Sequence, residues 1–295
     1  MNASYIHIYP KLLGKGAFGE VSLGLDQRNG RLLAVKKESK KSDKENGRVL
    51  KHENSILKFI GSPAVLFWED QSACYMAIPL LGPSLDRLHQ RCNNKFSLQI
   101  CATLGIQMIE QIEFCHNKGV LHRDIKPANF LVNYSLPHKS IKLVDFGLAK
   151  KYVNVPYRSG VARVGNLRYM SKYIHKGIES SRRDDIYSIG YVIIYMFVGH
   201  LPWKGVIQNL TLDEKHKAVL AVKEKFTNRR LANKNTCAEC AERSLPCSFV
   251  NTMIKFMDHA DSLAFEDKPD YNRLKSYLQE TLISHGFVED LRFKI

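Results

Sequence analysis

The sequence predicts an α+β fold in two lobes: a small β-rich N-terminal lobe with one helix, and a larger α-helical C-terminal lobe. Three observations lead there. Short apolar runs bounded by turn residues fill the stretch from Lys11 to Ile78. Apolar positions at helical spacing dominate from Ser84 onward. Between them stands Pro79-Leu80-Leu81-Gly82-Pro83, where two prolines and a glycine suit a hinge. The expected division is therefore 1–80 and 81–295, the two parts together forming one domain.

The elements follow in order. Lys11-Leu12-Leu13 leads into Gly14-Lys15-Gly16-Ala17-Phe18-Gly19-Glu20-Val21 and then Ser22-Leu23-Gly24-Leu25, two strands joined by a glycine-rich hairpin. Glycine has no side chain to clash, so such a backbone can approach phosphates closely. A dinucleotide fold shares the Gly-x-Gly-x-x-Gly spacing but continues into a helix, whereas here a strand follows Val21. After the turn Arg28-Asn29-Gly30, the strand Leu32–Lys36 ends in Ala-Val-Lys, with Lys37 on the opposite face by alternation. A solvated surface lysine is the plain alternative for Lys36, and the glycine loop upstream decides against it. A helix is expected around 47–60, with Leu50, Ile56, Leu57 and Ile60 apolar and Glu53 the carboxylate to pair with Lys36. Glu38, Asp43 and Glu45 precede that helix and are poorer partners. Leu66–Trp68 and Tyr75–Ile78 read as further strands. Past the hinge, Ser97 caps a long helix striped by Ile100, Leu104, Met108, Ile112 and Cys115, which ends at Lys118-Gly119.

That helix delivers the chain to His122-Arg123-Asp124-Ile125-Lys126-Pro127-Ala128-Asn129, and a second acid follows in Asp145-Phe146-Gly147. Moving a phosphoryl group from a metal-bound nucleotide to a hydroxyl needs this inventory. One carboxylate orients the hydroxyl, one cation meets the developing charge, and two oxygen ligands hold Mg²⁺. The spacing matches the catalytic and metal loops of protein kinases. On this reading Asp124 is the base, Lys126 stabilises the phosphoryl group, Lys36 and Glu53 form the supporting ion pair, and Asn129 and Asp145 are the metal ligands. Phe146 is expected against the helix bearing Glu53. ATP would lie against Leu13, Gly14, Lys15, Gly16, Ala17, Phe18, Gly19, Glu20, Val21, Lys36, Ile78 and Leu81. Lys126, in place of the arginine-containing loops of tyrosine kinases, points to serine and threonine acceptors.

Composition sets the outer limits. With 44% hydrophobic and 25% charged residues the chain is globular. Its longest apolar run, Ile186–Val198, is too short and too polar for a bilayer, and no lipidation or export signal is present. An intracellular protein of cytoplasm or nucleus, with reduced thiols, is expected. Cys237-x-x-Cys240 with Cys247 lacks a fourth zinc ligand at a fitting spacing and reads as a surface loop. The net charge of +15 attracts anions, acidic or phosphorylated peptides included. No base-stacking aromatics interleave the lysine-rich stretch from Lys36 to Lys51, so no dedicated nucleic-acid groove is indicated.

Over essentially its full length the chain resembles the casein kinase 1 family of serine/threonine kinases. The resemblance rests on Leu80–Leu85, His122–Leu131, Asp145–Tyr152, Gly177–Asp185 with Ser188–Tyr191, Leu201–Gly205 and Phe265–Tyr271. Ser171-Lys172-Tyr173 stands where most kinases have Ala-Pro-Glu. The resemblance implies a monomer acting on acidic or phosphate-primed protein substrates, with an anion site at Arg168, Gly205 and, after an insertion of two residues, Lys217. A structural salt bridge is the alternative role for Arg168. Val161 replaces a basic residue of the family, with Arg163 close by, and the segment between Tyr152 and Pro156 is about six residues short. The stretch Thr236–Cys247 does not match, and if the chain is whole at Ile295 it is expected to lack the regulatory tail of many members and to be constitutively active. The rival reading is a pseudokinase or scaffold that binds acidic or phosphorylated partners. It expects a missing catalytic part, and none is missing.

Overall fold

Pro10 interrupts the first strand without ending it. β1 (Ile6–Gly16) pairs antiparallel with β2 (Gly19–Asp26), and the register slips between Ile8 and Leu12 and again between Leu12 and Gly14. Proline has no N–H to give the ladder, so a bulge at this sheet edge absorbs it. The computed structural model describes residues 4–16, 19–40, 48–62, 66–133, 140–153, 155–206, 208–226 and 247–288. Ala17, Phe18, Cys237 and Cys240 lie outside these residues.

β3 (Arg31–Ser39), β4 (Leu66–Glu69) and β5 (Ala73–Pro79) complete a five-stranded antiparallel sheet in the order β1-β2-β3-β5-β4. Alternation along β3 buries Leu33 and Val35 with Ile6 and Ala77, while Tyr5, Leu66, Trp68 and Tyr75 pack around them. α1 (Arg48–Phe59) buries Leu50, Glu53, Ile56 and Leu57. Leu50 N–H donates to Glu38 Oε2 at 2.7 Å, so the acid set aside as a lysine partner closes the start of this helix instead. The chain divides into two compact units, Met1–Gly82 with Asp145–Lys151, and Pro83–Val144 with Tyr152–Ile295.

The second unit is mostly helical. α2 (Leu85–Arg91) and α3 (Leu98–Asn117) start at Ser84 and Ser97, whose hydroxyls accept Arg87 N–H and Ile100 N–H. α3 ends at Lys118, and Gly119 takes φ +71° before β6 (Val120–Leu121). β7 (Phe130–Asn133) and β8 (Ser140–Leu143) form a small antiparallel ribbon. α4 (Lys172–His175), α5 (Arg182–Val198), α6 (Leu212–Lys225), α7 (Cys247–Ser262) and α8 (Tyr271–Ser284) follow. α5 is buried over nearly its whole length. Gly190 lets α7 approach it: a Cβ there would stand 2.5 Å from Met257 Sδ. An antiparallel sheet unit and a helical unit give the two-lobed α+β class that the sequence predicts. No helix among the described residues is long and apolar enough to cross a membrane.

Candidate active site

Lys36, Glu53 and Asp145 meet within the first unit. Lys36 Nζ lies 2.6 Å from Glu53 Oε2 and 2.9 Å from Asp145 Oδ1. Phe146 N–H donates to Glu53 Oε1 at 3.1 Å, which ties the start of Phe146-Gly147 to α1 as expected. Gly147 passes so close that a Cβ would stand 3.0 Å from Val49 Cγ1. Asp145 takes the left-handed backbone, φ +65°, which is strained for a residue with a side chain. Burial works against the Lys36 ammonium, but Glu53 and Asp145 outweigh it and hold its pKa above the ordinary lysine value. Burial pushes the Glu53 carboxyl up, against the pull of Lys36. Lys37 is exposed on the other face, 5.8 Å from the Tyr75 ring centre.

The glycine hairpin pairs Gly16 with Gly19, Lys15 with Glu20 and Gly14 with Val21, and Val21 in turn faces Lys36. Gly19 has φ +139°, and a Cβ there would fall 2.0 Å from Lys37 O, so no other residue fits. Lys15 and Glu20 form an exposed ion pair, and Leu13 is exposed. Ile78 pairs with Ala34. Leu80 N–H is spent on Leu32 O at 3.0 Å, whereas Leu81 makes no backbone hydrogen bond among the described residues.

Asp124, Lys126 and Asn129 meet within the second unit. Asp124 is buried, and its Oδ2 accepts Lys126 Nζ at 2.5 Å and Asn129 Nδ2 at 3.2 Å. The same amide donates to Asp124 O at 2.8 Å, so Asn129 spends its nitrogen on this loop and keeps its carbonyl oxygen as an acceptor. Asp124 N–H donates to His122 Nδ1 and His122 Nε2 donates to Val144 O, which fixes the tautomer of that ring. Gly165 has φ +116°, and a Cβ there would stand 2.4 Å from Arg123 O.

Sequence reading missed what holds this loop. Asp185 Oδ1 accepts Arg123 N–H, and its Oδ2 accepts both His122 N–H and His116 Nε2–H, each at 2.9 Å. Burial opposes ionisation of Asp185, but His116 and the other donors more than offset it and hold its pKa below the ordinary aspartate value. His116 Nδ1 in turn accepts the Tyr271 hydroxyl at 2.7 Å. An acid pair in the first turn of an apolar helix, Asp184-Asp185, was the available signal, because a buried carboxylate needs donors from elsewhere.

Arg168, Gly205 and Lys217 are exposed. Arg168 forms no ion pair among the described residues, and its guanidinium lies 5.6 Å from the Tyr195 ring centre. Its carbonyl accepts Trp203 Nε1–H at 2.8 Å, which brings it beside the turn carrying Gly205. No hydrogen bond or ion pair joins Lys217 to either residue. Arg163, near Val161, is already engaged: Nη1 lies 2.7 Å from Asp213 and Nε donates to His175 O. Among the described residues no three His, Cys, Asp or Glu cluster to hold a metal ion.

A lysine between two carboxylates on a β-sheet, a glycine hairpin above that strand, and an Asp-x-Lys-x-x-Asn loop pinned by a buried acid are each present. The family model of the protein kinase domain matches residues 8–263. The chain belongs to the protein kinase family.

Proposed function

We propose that this protein kinase transfers the γ-phosphate of ATP to serine and threonine hydroxyls of acidic or phosphate-primed proteins, in the manner of casein kinase 1. The observation that carries this reading is the loop in which Asp124, Lys126 and Asn129 share hydrogen bonds. Asp124 orients the attacking hydroxyl and takes its proton as the oxygen–phosphorus bond forms and the bond to ADP breaks. Lys126, on the Asp124 carboxylate, is long enough to follow the charge to the transferred phosphoryl group. A lysine two residues after the base supports alcohol rather than phenol acceptors.

Lys36, oriented by Glu53, pairs with the nucleotide phosphates. The glycine hairpin, Ile78 and the open Leu81 backbone take the rest of the nucleotide. The Asn129 carbonyl oxygen and the Asp145 carboxylate are hard oxygen donors of the kind Mg²⁺ takes and would be its protein ligands. When bound, the ion neutralises phosphate charge. Arg168 and Lys217, exposed and in no close ion pair among the described residues, are the cations proposed to meet a primed or acidic substrate. Ser171 supports the casein-kinase-1 assignment: its hydroxyl accepts Tyr173 N–H and Ile174 N–H and contacts Asp184, so serine does structural work at the Ala-Pro-Glu position.

The test is transfer of radiolabelled phosphate from ATP to an acidic protein. Asp124→Asn is expected to lower the rate by about 10³-fold or more, as loss of a general base does. An inactive wild type would leave the scaffold reading, and an Asp124→Asn variant at wild-type rate would remove Asp124 from the chemistry. Arg168→Ala and Lys217→Ala should each lower the ratio of primed to unprimed peptide rates.

A further inference from the structure

Lys223, in the last turn of α6, is 2% exposed and has no carboxylate partner among the described residues. Its Nζ lies 2.6 Å from Met170 O, 3.2 Å from Leu167 O and 3.1 Å from His175 Nε2. An ammonium has three N–H donors, and here are three acceptors. The rings of Trp203 and Tyr191 are centred 4.8 Å and 5.1 Å from the same nitrogen. His175 Nδ1 lies 2.9 Å from His216 Nδ1, so the lysine head, His175 and His216 form one buried chain of nitrogen contacts. Burial pushes the Lys223 pKa well down.

Trp203 completes the arrangement by donating Nε1–H to Arg168 O. Three of the four carbonyls from Leu167 to Met170 are thus held by two touching side chains. The N–H groups of Arg168, Tyr169 and Met170 all turn to Asn166. A leucine at 223 would avoid burying a cation, but it would leave two carbonyls unpaired. The lysine is retained where it pairs two carbonyls of a turn in which Tyr169 and Met170 are buried and Arg168 is exposed.

We propose that Lys223 and Trp203 form a buried clamp that presets the Leu167–Met170 turn so that the exposed Arg168 side chain meets the protein substrate. Both are then positioning residues: neither touches the reacting atoms, and both act through the backbone on either side of the Arg168 side chain. The inference rests on the proposed reading of Arg168 as substrate-facing.

Steady-state kinetics of the full chain with an acidic peptide and ATP test it, using Lys223→Met, Trp203→Phe and Arg168→Ala. Lys223→Met is expected to raise the peptide KM by about tenfold, the order expected when a binding segment loses its preset geometry, with the ATP KM unchanged. Trp203→Phe should move the peptide KM in the same direction by less. An unchanged peptide KM in folded Lys223→Met overturns the clamp, as does an ATP KM that rises in step. If thermal melts show Lys223→Met unfolded, Trp203→Phe decides by the same two readouts. Arg168→Ala separates the two ideas. A raised KM there with wild-type clamp variants removes the clamp and keeps Arg168. Raised KM in the clamp variants with an unaffected Arg168→Ala overturns the proposal, because the clamp would then not act through Arg168.

Discussion

His175 sits between two other nitrogen bases, and that position makes stability depend on pH. Burial, then Lys223, His216 and Arg163, lower its pKa from 6.5 to about 2. The folded state therefore refuses a proton that the unfolded chain accepts below 6.5. The His175 contribution is complete above that value and is lost as pH falls, by about 1.4 kcal/mol per pH unit. Asp184 has the opposite sign: burial raises it from 3.8 to about 6, so its contribution fades as pH rises through that window. Comparing wild type with His175→Gln cancels the Asp184 effect. The stability gap between the two proteins, measured by urea unfolding, should narrow between about pH 7.5 and 5.5. An equal gap at both values would mean that His175 is not held neutral. None of this was legible from residue types, since a histidine on a short polar helix reads as exposed. Lys36 and Glu53 were legible, because a glycine hairpin and an Ala-Val-Lys strand mark one and a helix-borne acid the other.

Among the elements, α5 shows how packing reaches the site. Its first turn supplies Asp185, which fixes the backbone of His122 and Arg123. Its middle is pressed against α7 at Gly190, where a Cβ would also stand 3.2 Å from the Phe256 ring. Gly190→Ala is expected to destabilise by about 1–3 kcal/mol, the usual penalty for overpacking, read as a lower urea midpoint. A wild-type midpoint would show that α7 can retreat freely. The run Ile186–Val198 was read correctly as too short for a membrane, and its neighbours could not be read from it. A helix that is apolar all round has no preferred face in the sequence. Glu38 teaches the same lesson from the other unit: its role as acceptor for the start of α1 depends on where β3 leaves it.

For the molecule as a whole, the charge of +15 should show in the rate at which the proposed acidic substrates arrive. Raising salt from about 0.05 to 0.5 M shortens the screening length several-fold, so the KM for an acidic peptide should rise markedly. A neutral peptide of equal length serves as the control, and equal salt dependence for both would assign the effect to folding rather than steering. The α+β class, the glycine hairpin, the pairing of Lys36 with Glu53 and the contacts within the Asp124–Asn129 loop were all readable, because glycines, turn residues and short fixed spacings mark them in the chain. The supports were not. Lys223 meets Leu167 across 56 positions and His116 meets Tyr271 across 155, pairings that neither spacing nor residue type announces. The Asp124–Asn129 loop lies within six residues of chain and shows in the sequence, whereas Asp145 beside Lys36 and the groups that hold the loop still are placed by whichever element packs nearest.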